Sequence, residues 1–148
     1  MPSQECMSAP SPEGRPSKDP AALGPAADLI QLEATCRACQ GCELAATRSH
    51  VVVSRGNPEA RLLLIGEAPG AQEDAQGLPF VGKAGQLLDR MLASVELDRD
   101  RDVYICNVIK CRPPDNRRPT AAEIAACRPF LDRKSTRLNS SHLVISYA

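Results

Sequence analysis

The sequence of 148 residues lacks three features that would each assign it to a large class of proteins. Lysine plus arginine equal aspartate plus glutamate at 18 each, so no net charge steers the chain toward nucleic acid, although a local basic patch can do so. No run approaches the ~20 apolar residues that cross a bilayer. The N-terminus lacks the basic-then-apolar pattern of a signal peptide. We therefore expect one cytoplasmic domain with no membrane-spanning segment.

Cysteine, in contrast, is abundant. Seven cysteines without a secretion signal do not suit a disulfide framework and indicate thiolate metal ligation or packing. Cys39 and Cys42 form a C-x-x-C pair, and Cys36 forms a second pair with Cys39. Cys111 follows a predicted strand, and Cys127 lies in a predicted helix. Four thiolates of this kind suit either zinc or an iron–sulfur cluster, and spacing does not separate the two.

The other cysteines have simpler interpretations. Cys106 lies in an apolar strand and is predicted to belong to the core. Cys6 lies near the N-terminus and is predicted to be a free thiol. Cys36 is left open between a spare thiol and a substitute ligand for Cys39.

The composition divides the chain into three parts. Residues 1–27 carry six of the thirteen prolines and predict a disordered leader. Residues 28–133 are predicted to form the domain, which opens on Asp28 and Gln31 as a capping box. From Lys134 to His142 there is no periodicity, and this stretch resembles translated sequencing-adapter read-through. Residues 134–148 are therefore interpreted as an artefactual tail.

Within the domain, strand and helix patterns alternate. Residues 62–65 are an apolar run that predicts a buried strand, and residues 103–109 predict a second strand. Residues 83–95 predict an amphipathic helix with Leu87, Leu88, Met91, Leu92 and Val95 on its apolar side. Thr120 and Glu123 predict a capping box for a helix that runs to about residue 131. This order favours an α/β fold with a parallel sheet and right-handed crossovers.

The most informative motif is Gly66-Glu67-Ala68-Pro69-Gly70, directly after the first strand. Open α/β sheets place their ligand sites at the carboxyl ends of such strands. The glycines let the backbone approach a ligand closely, Pro69 stiffens the loop, and Glu67 supplies a carboxylate. Phe80 lies in a loop bounded by glycine and proline, which predicts a displayed ring. The sequence thus predicts a ligand pocket after the first strand, with the Glu67 carboxylate at its bottom.

Several motifs in the same order resemble the iron–sulfur, family-4 type of uracil-DNA glycosylase. The resemblance covers about residues 29–132, the N-terminal portion of such an enzyme. The motifs are Cys39-x-x-Cys42-x-Leu44 with Arg48, Gly66–Gly70, Gly77-x-Pro79-Phe80-Val81-Gly82-x-Ala84-Gly85, Tyr104–Val108 and Lys110–Pro114.

The resemblance implies an open parallel-sheet, three-layer α/β fold whose C-terminal half is missing. It implies hydrolysis of the N-glycosidic bond of uracil in DNA, in base-excision repair, by a monomer whose partner is uracil-containing DNA. It also implies a [4Fe–4S] cluster held by Cys39, Cys42, Cys111 and Cys127, with a structural rather than a redox role.

The resemblance also suggests roles for the pocket residues. Phe80 would stack on the flipped base, and the amide of Asn107 would read the uracil edge. Glu67 would position water or stabilise the oxocarbenium ion, while the backbone of Gly66, Ala68, Pro69 and Gly70 lies against the sugar and the uracil carbonyls. Each side chain has a structural alternative: a core anchor for Phe80, a strand-end cap for Asn107 and a helix-dipole partner for Glu67.

Five basic side chains, four of which follow the second strand within nine residues, are candidates for phosphate contacts, or else belong to an ordinary solvated loop. They are Lys83, Lys110, Arg112, Arg117 and Arg118. The family's later His-Pro-Ser motif has no counterpart here, so we expect the chain as given to be inactive. The alternative function is a non-catalytic iron–sulfur module of the same fold that binds DNA or a protein partner.

Overall fold

The computed structural model describes the backbone of residues 25–137 and the side chains of residues 28–132. Most of the predicted leader and most of the predicted tail lie outside the described residues. Helix α1 (Pro25–Arg37) begins at Pro25 rather than at Asp28. Helix α4 (Ala121–Arg137) continues past the predicted domain boundary at residue 133.

A three-stranded sheet lies at the centre of the described part. Its strands are β1 (Arg55–Gly56), β2 (Leu62–Gly66) and β3 (Val103–Asn107), in the order β1-β3-β2. β2 and β3 are parallel and in full register, so both end at the same edge, as the predicted parallel sheet requires. β1 pairs antiparallel to β3 and was not predicted, because two residues are too few to show a periodicity.

Helices cover both faces of this sheet. On one face, Leu88 and Leu92 of α3 (Lys83–Ser94) share an apolar cluster with Leu64 and Ile105. On the other face, Leu131 of α4 packs against a cluster that contains Leu63, Ile65, Tyr104 and Cys106. The α/β class and the three-layer arrangement are therefore as predicted, and Cys106 is a core residue.

The exposed side of α3 differs from the prediction. Leu88 and Leu92 are buried, but Leu87, Met91 and Val95 are 41%, 42% and 62% exposed. Residues 87, 91 and 95 form a stripe about 100° around the helix from residues 88 and 92, and the sheet covers only the latter. The apolar pattern identified the helix but not how much of its surface is covered.

Three shorter elements and one helix cap complete the frame of the site. Helix α2 (Ala71–Gln76) follows β2, and 3₁₀ turns occupy Glu43–Ala46 and Pro114–Asn116. The predicted capping box of α4 is confirmed. The Thr120 N–H donates to Glu123 Oε2 at 2.8 Å, and the Glu123 N–H donates to Thr120 Oγ1 at 3.3 Å. No helix among the described residues is both long and apolar enough to cross a membrane.

Candidate active site

A pocket of about 440 Å³ opens at the edge of the sheet where β2 and β3 end. That volume is typical of small-molecule sites, which span ~300–1,000 Å³. All the residues predicted to bind substrate line it: Gly66, Glu67, Ala68, Pro69, Gly70, Phe80 and Asn107. The structure thus brings together loops that are separated by about forty residues in the sequence.

The side chains of Asn107 and Phe80 both pack closely against Gly66. A Cβ at this position would lie 2.3 Å from Asn107 Oδ1 and 2.7 Å from Phe80 Cζ. Because real Cβ atoms do not approach other atoms so closely, only glycine lets the amide and the ring come together over the end of β2. Asn107 is 2% exposed, so its amide is held within the protein rather than on its surface.

The Phe80 backbone is held in an unusual conformation. Its φ of 54° lies in the left-handed region, which is strained for a bulky residue. Arg99 Nη1 donates to the Phe80 carbonyl oxygen at 3.2 Å and to Asp89 Oδ2 at 2.9 Å. Gly85 permits the same carbonyl to pass close to α3, since a Cβ there would lie 1.9 Å from it. The half-buried ring packs on the α3 cluster and also lines the pocket.

The loop that carries Glu67 is tied to the strand beside it. The Val108 N–H donates to the Gly66 carbonyl at 2.8 Å, and the Ile109 N–H donates to the Glu67 carbonyl at 3.2 Å. These bonds extend the β2–β3 ladder beyond the last strand residues. The half-buried Glu67 side chain lines the pocket.

Glu73 was not among the predicted site residues, yet it lines the same pocket. Its Oε1 accepts the N–H groups of Val81 at 3.0 Å and Gly82 at 2.9 Å, at the start of α3. Glu73 therefore joins α2 to the segment after Phe80. The sequence signal was a helix that begins after Gly82, which has no side chain to cap it.

The basic residues predicted to contact phosphates lie in different environments. Arg118 is exposed and lines the pocket, and Lys83 is exposed at the first position of α3. Arg117 also lines the pocket, but it makes a two-pronged ion pair with Glu123, at 3.0 and 2.6 Å. Arg112 is half-buried and donates to Asn116 Oδ1 at 2.8 Å.

Lys110 differs from the prediction. It is 1% exposed, and its ammonium group donates to the Asn107 carbonyl oxygen. An ammonium group enclosed in this way does not reach a DNA phosphate. Lys110 instead lies between the end of β3 and the cysteine cavity described next.

A second, narrow cavity gathers the cysteines. Its wall includes all four predicted cluster ligands, Cys39, Cys42, Cys111 and Cys127, and also Cys36. They come from the end of α1, the loop after it, the loop after β3 and the middle of α4. Cys36 is 1% exposed, so it belongs to the wall of this cavity as well as to the core. We name this region the cysteine cavity.

Polar contacts to sulfur are already present there. Arg48 Nη1 donates to Cys111 Sγ at 3.2 Å, and the Gly41 N–H donates to Cys39 Sγ at 3.3 Å. Burial raises the pKa of the Cys111 thiol, and the hydrogen bond from Arg48 opposes that rise. Burial likewise raises the pKa of Cys127, opposed by the backbone N–H of Lys110. These thiols favour the neutral form unless a cation joins them.

Within residues 28–132, no three His, Cys, Asp or Glu side chains are grouped so that they could hold a metal ion. The cysteines are spread around the wall of the cavity.

Comparisons with known proteins assign the chain to a family. A model of the uracil DNA glycosylase superfamily matches residues 53–146, well over half of the chain. The chain therefore belongs to the uracil DNA glycosylase superfamily.

Individual relatives narrow the similarity. A type-4 uracil-DNA glycosylase of Thermotoga maritima is 53% identical over 93 residues, which are 63% of this chain and 48% of the relative. One of Archaeoglobus fulgidus is 47% identical over 106 residues, which are 72% of this chain and 53% of the relative. A DNA polymerase of Bacillus phage SP01 is 40% identical over 77 residues, 52% of this chain and 8% of the polymerase. The chain spans about half the length of the glycosylases it matches.

Proposed function

We propose that this chain is part of a glycosylase that hydrolyses the N-glycosidic bond of uracil in DNA. The observation that carries the proposal is the convergence of Glu67, Phe80 and Asn107 on one pocket at the ends of two parallel strands. Membership of the uracil DNA glycosylase superfamily and the type-4 relatives support it. We further expect the protein to be cytoplasmic and monomeric, and gel filtration can test its oligomeric state.

The pocket offers the two contacts that a flipped pyrimidine needs. An enzyme that acts on a base inside a duplex must rotate it into a pocket, where stacking replaces the lost neighbours. The Phe80 ring supplies an aromatic wall at a fixed position. The Asn107 amide carries both a donor and an acceptor, which matches a uracil edge with one N–H between two carbonyls.

Cleavage leaves negative charge on the departing base and positive charge on the sugar. The Gly66–Gly70 loop lines the pocket, so its backbone N–H groups, which Pro69 lacks, would be donors for a charged uracil oxygen. The Glu67 carboxylate, which lines the same pocket, would hold the attacking water or stabilise the sugar cation. Glu73 uses one of its carboxylate oxygens to hold the Phe80 loop, which favours Glu67 for this role.

The duplex would lie over the exposed basic side chains at the mouth of the pocket. Arg118 is exposed and lines the pocket, Lys83 is exposed next to Ala84 of the pocket wall, and Arg112 lies in the same loop as Arg118. Arg117 shapes the loop through Glu123, so we expect a smaller direct contribution from it. Each phosphate contact would make binding weaken with salt.

We further propose that Cys39, Cys42, Cys111 and Cys127, which line the cysteine cavity together, hold a [4Fe–4S] cluster. Four thiols distributed around a shared wall suit a ligand larger than one metal ion, and nearby N–H groups already point at two of the sulfurs. Bound there, the cluster would join three separate segments of the chain, the loop after α1, the loop after β3 and α4, and so contribute folding free energy.

The experiment measures single-turnover excision from a uracil-containing oligonucleotide, with the protein at the length of its curated relatives. Phe80→Ala and Asn107→Ala should each slow excision roughly tenfold to hundredfold, because ~1–3 kcal/mol of contacts are lost. Glu67→Gln should lower the rate, while Glu59→Gln, an exposed carboxylate outside the pocket, should leave it unchanged. Wild-type rates for all three pocket variants would place the active site elsewhere.

A non-catalytic module is the second candidate, and the similarity to a segment of a phage DNA polymerase favours keeping it. In that case the wild-type protein would bind DNA but release no uracil. The same variants would then alter binding to DNA without any rate to lose.

A further inference from the structure

Arg48 follows the first cysteines in the motif that resembles the glycosylase family. It does not line the pocket, and it is not one of the four proposed cluster ligands, so its role has not yet been explained. The half-buried guanidinium uses two prongs, with Nη1 donating to Cys111 Sγ at 3.2 Å and Nη2 donating to the Cys39 carbonyl oxygen at 2.7 Å. The two cysteines lie 72 residues apart, so one side chain bridges two remote segments of the cavity wall.

Arg48 also lines two spaces. One is the cysteine cavity, and the other is an outer depression whose wall includes Arg37, His50 and Leu78. A side chain shared by both walls limits the access of solvent from the depression to the sulfurs. Solvent access and hydrogen bonds to sulfur are two of the factors that set the reduction potential and the lifetime of a cluster.

We propose that Arg48 is a positioning residue for the cluster, which it retains by bridging Cys111 to the Cys39 segment and closing the cavity toward the outer depression. The inference rests on the proposed [4Fe–4S] site. Bridging the two segments and closing the cavity both depend on the planar, forked guanidinium group, because a single ammonium group cannot match the geometry of two separated acceptors. The cation and its N–H···S bond also favour the reduced cluster, which carries one more negative charge.

The test compares purified wild-type protein at full length with Arg48→Met, Arg48→Lys and the control Arg37→Met. Arg37 is exposed and lines the outer depression but not the cysteine cavity, so its removal takes the same charge from the same depression. Iron loss to a chelator is followed by the visible absorbance. The reduction potential is measured by titration with dithionite, which donates one electron to the cluster.

We expect Arg48→Met to lose iron about 10–100-fold faster than wild type, as removal of a residue that supports metal ligands commonly does. Its potential should shift to a more negative value, and Arg37→Met should match wild type in both measurements. Arg48→Lys keeps the charge but not the fork. It should therefore show a smaller shift in potential together with accelerated iron loss.

The outcomes separate the two proposals. A wild-type protein without a cluster overturns the cofactor assignment and this inference together. A brown wild type from which Arg48→Met and Arg37→Met are indistinguishable overturns the role of Arg48 alone. If Arg48→Met does not fold, Arg48→Lys decides, and a wild-type rate of iron loss in that variant contradicts the bridge.

Discussion

The pocket and the cysteine cavity are built in different ways, although they share the loop after β3. The pocket lies where two parallel strands end, and its walls are fixed by ladder hydrogen bonds and by the close approach that Gly66 allows. The wall of the cysteine cavity runs from Cys36 to Phe130 in the sequence and is formed by parts of α1 and α4 and by the loops after α1 and β3. The backbone of the sheet therefore positions the pocket, whereas the side chains of separate segments form the cysteine cavity.

The two sites should therefore depend differently on a bound ligand. The pocket can keep its shape without a bound ligand, because backbone bonds define it. The cysteine cavity holds buried thiols whose pKa values are raised by burial, so it gains most from a cation that ligates them. Substitutions in the cavity should therefore affect folding first, and those in the pocket should affect catalysis first.

The largest expected effect is on the cavity. Cys111→Ala should abolish the brown colour and much of the folded population, because a lost metal site takes its folding free energy with it. The matched control is Cys106→Ala, since Cys106 is buried in β3, away from the cysteine cavity. That variant should keep its colour. Visible absorbance and far-UV circular dichroism measure both outcomes, and a folded but colourless wild type carrying zinc would refute the cluster.

The next largest effect is on the pocket. Gly66→Ala should reduce single-turnover excision by on the order of 100-fold, because the new Cβ displaces Asn107 and Phe80, and shifts of about 1 Å cost that much. Gly41→Ala is the counterpart in the cavity, where a Cβ would lie 3.4 Å from Cys39 Sγ, an ordinary contact. It should leave excision and colour close to wild type. Loss of colour in Gly66→Ala would mean that the two sites are not separable.

The pocket could be predicted from sequence because its motifs are local. Gly66 and Asn107 each end an apolar strand, and parallel strands of equal length bring their ends together. The capping box at Thr120 and the burial of Cys106 follow from short patterns in the same way. Such patterns report only on residues that are close to each other in the sequence.

Contacts that depend on tertiary packing were beyond such patterns. The burial of Lys110 depends on how the loop after β3 folds back, and a lysine among arginines gave no sign of it. The contact of Arg48 with Cys111 joins residues 63 positions apart. The exposure of Met91 depends on how much of α3 the sheet covers, which periodicity does not encode.

A smaller effect should separate the exposed cations at the mouth of the pocket from those elsewhere. Arg118→Ala should remove about one phosphate contact, and the slope of log K against log salt for a duplex should fall by about 0.9. Arg61 is also exposed but lies just before β2, at the end of the strand remote from the pocket, so Arg61→Ala is the control. Equal slopes for Arg118→Ala and wild type would leave the DNA on another face.

The smallest expected effect concerns the ion pair that shapes this mouth. Hydrogen bonds from Arg117 lower the pKa of Glu123 from 4.5 to about 2. A carboxyl with a depressed pKa in the folded state stabilises it fully above the ordinary value, and loses that contribution as the pH falls from about 4.5 to about 2. Glu123→Gln should therefore be less stable than wild type at pH 6, by about 1 kcal/mol or less for a pair whose arginine is 41% exposed. The difference in the free energy of unfolding should shrink toward pH 2, as urea unfolding can measure.

The control is Asp132→Asn, which removes a carboxylate from an exposed ion pair with Arg128 on the same helix and should change stability less. A difference between Glu123→Gln and wild type that stays constant with pH would show that Arg117 does not hold the Glu123 carboxylate.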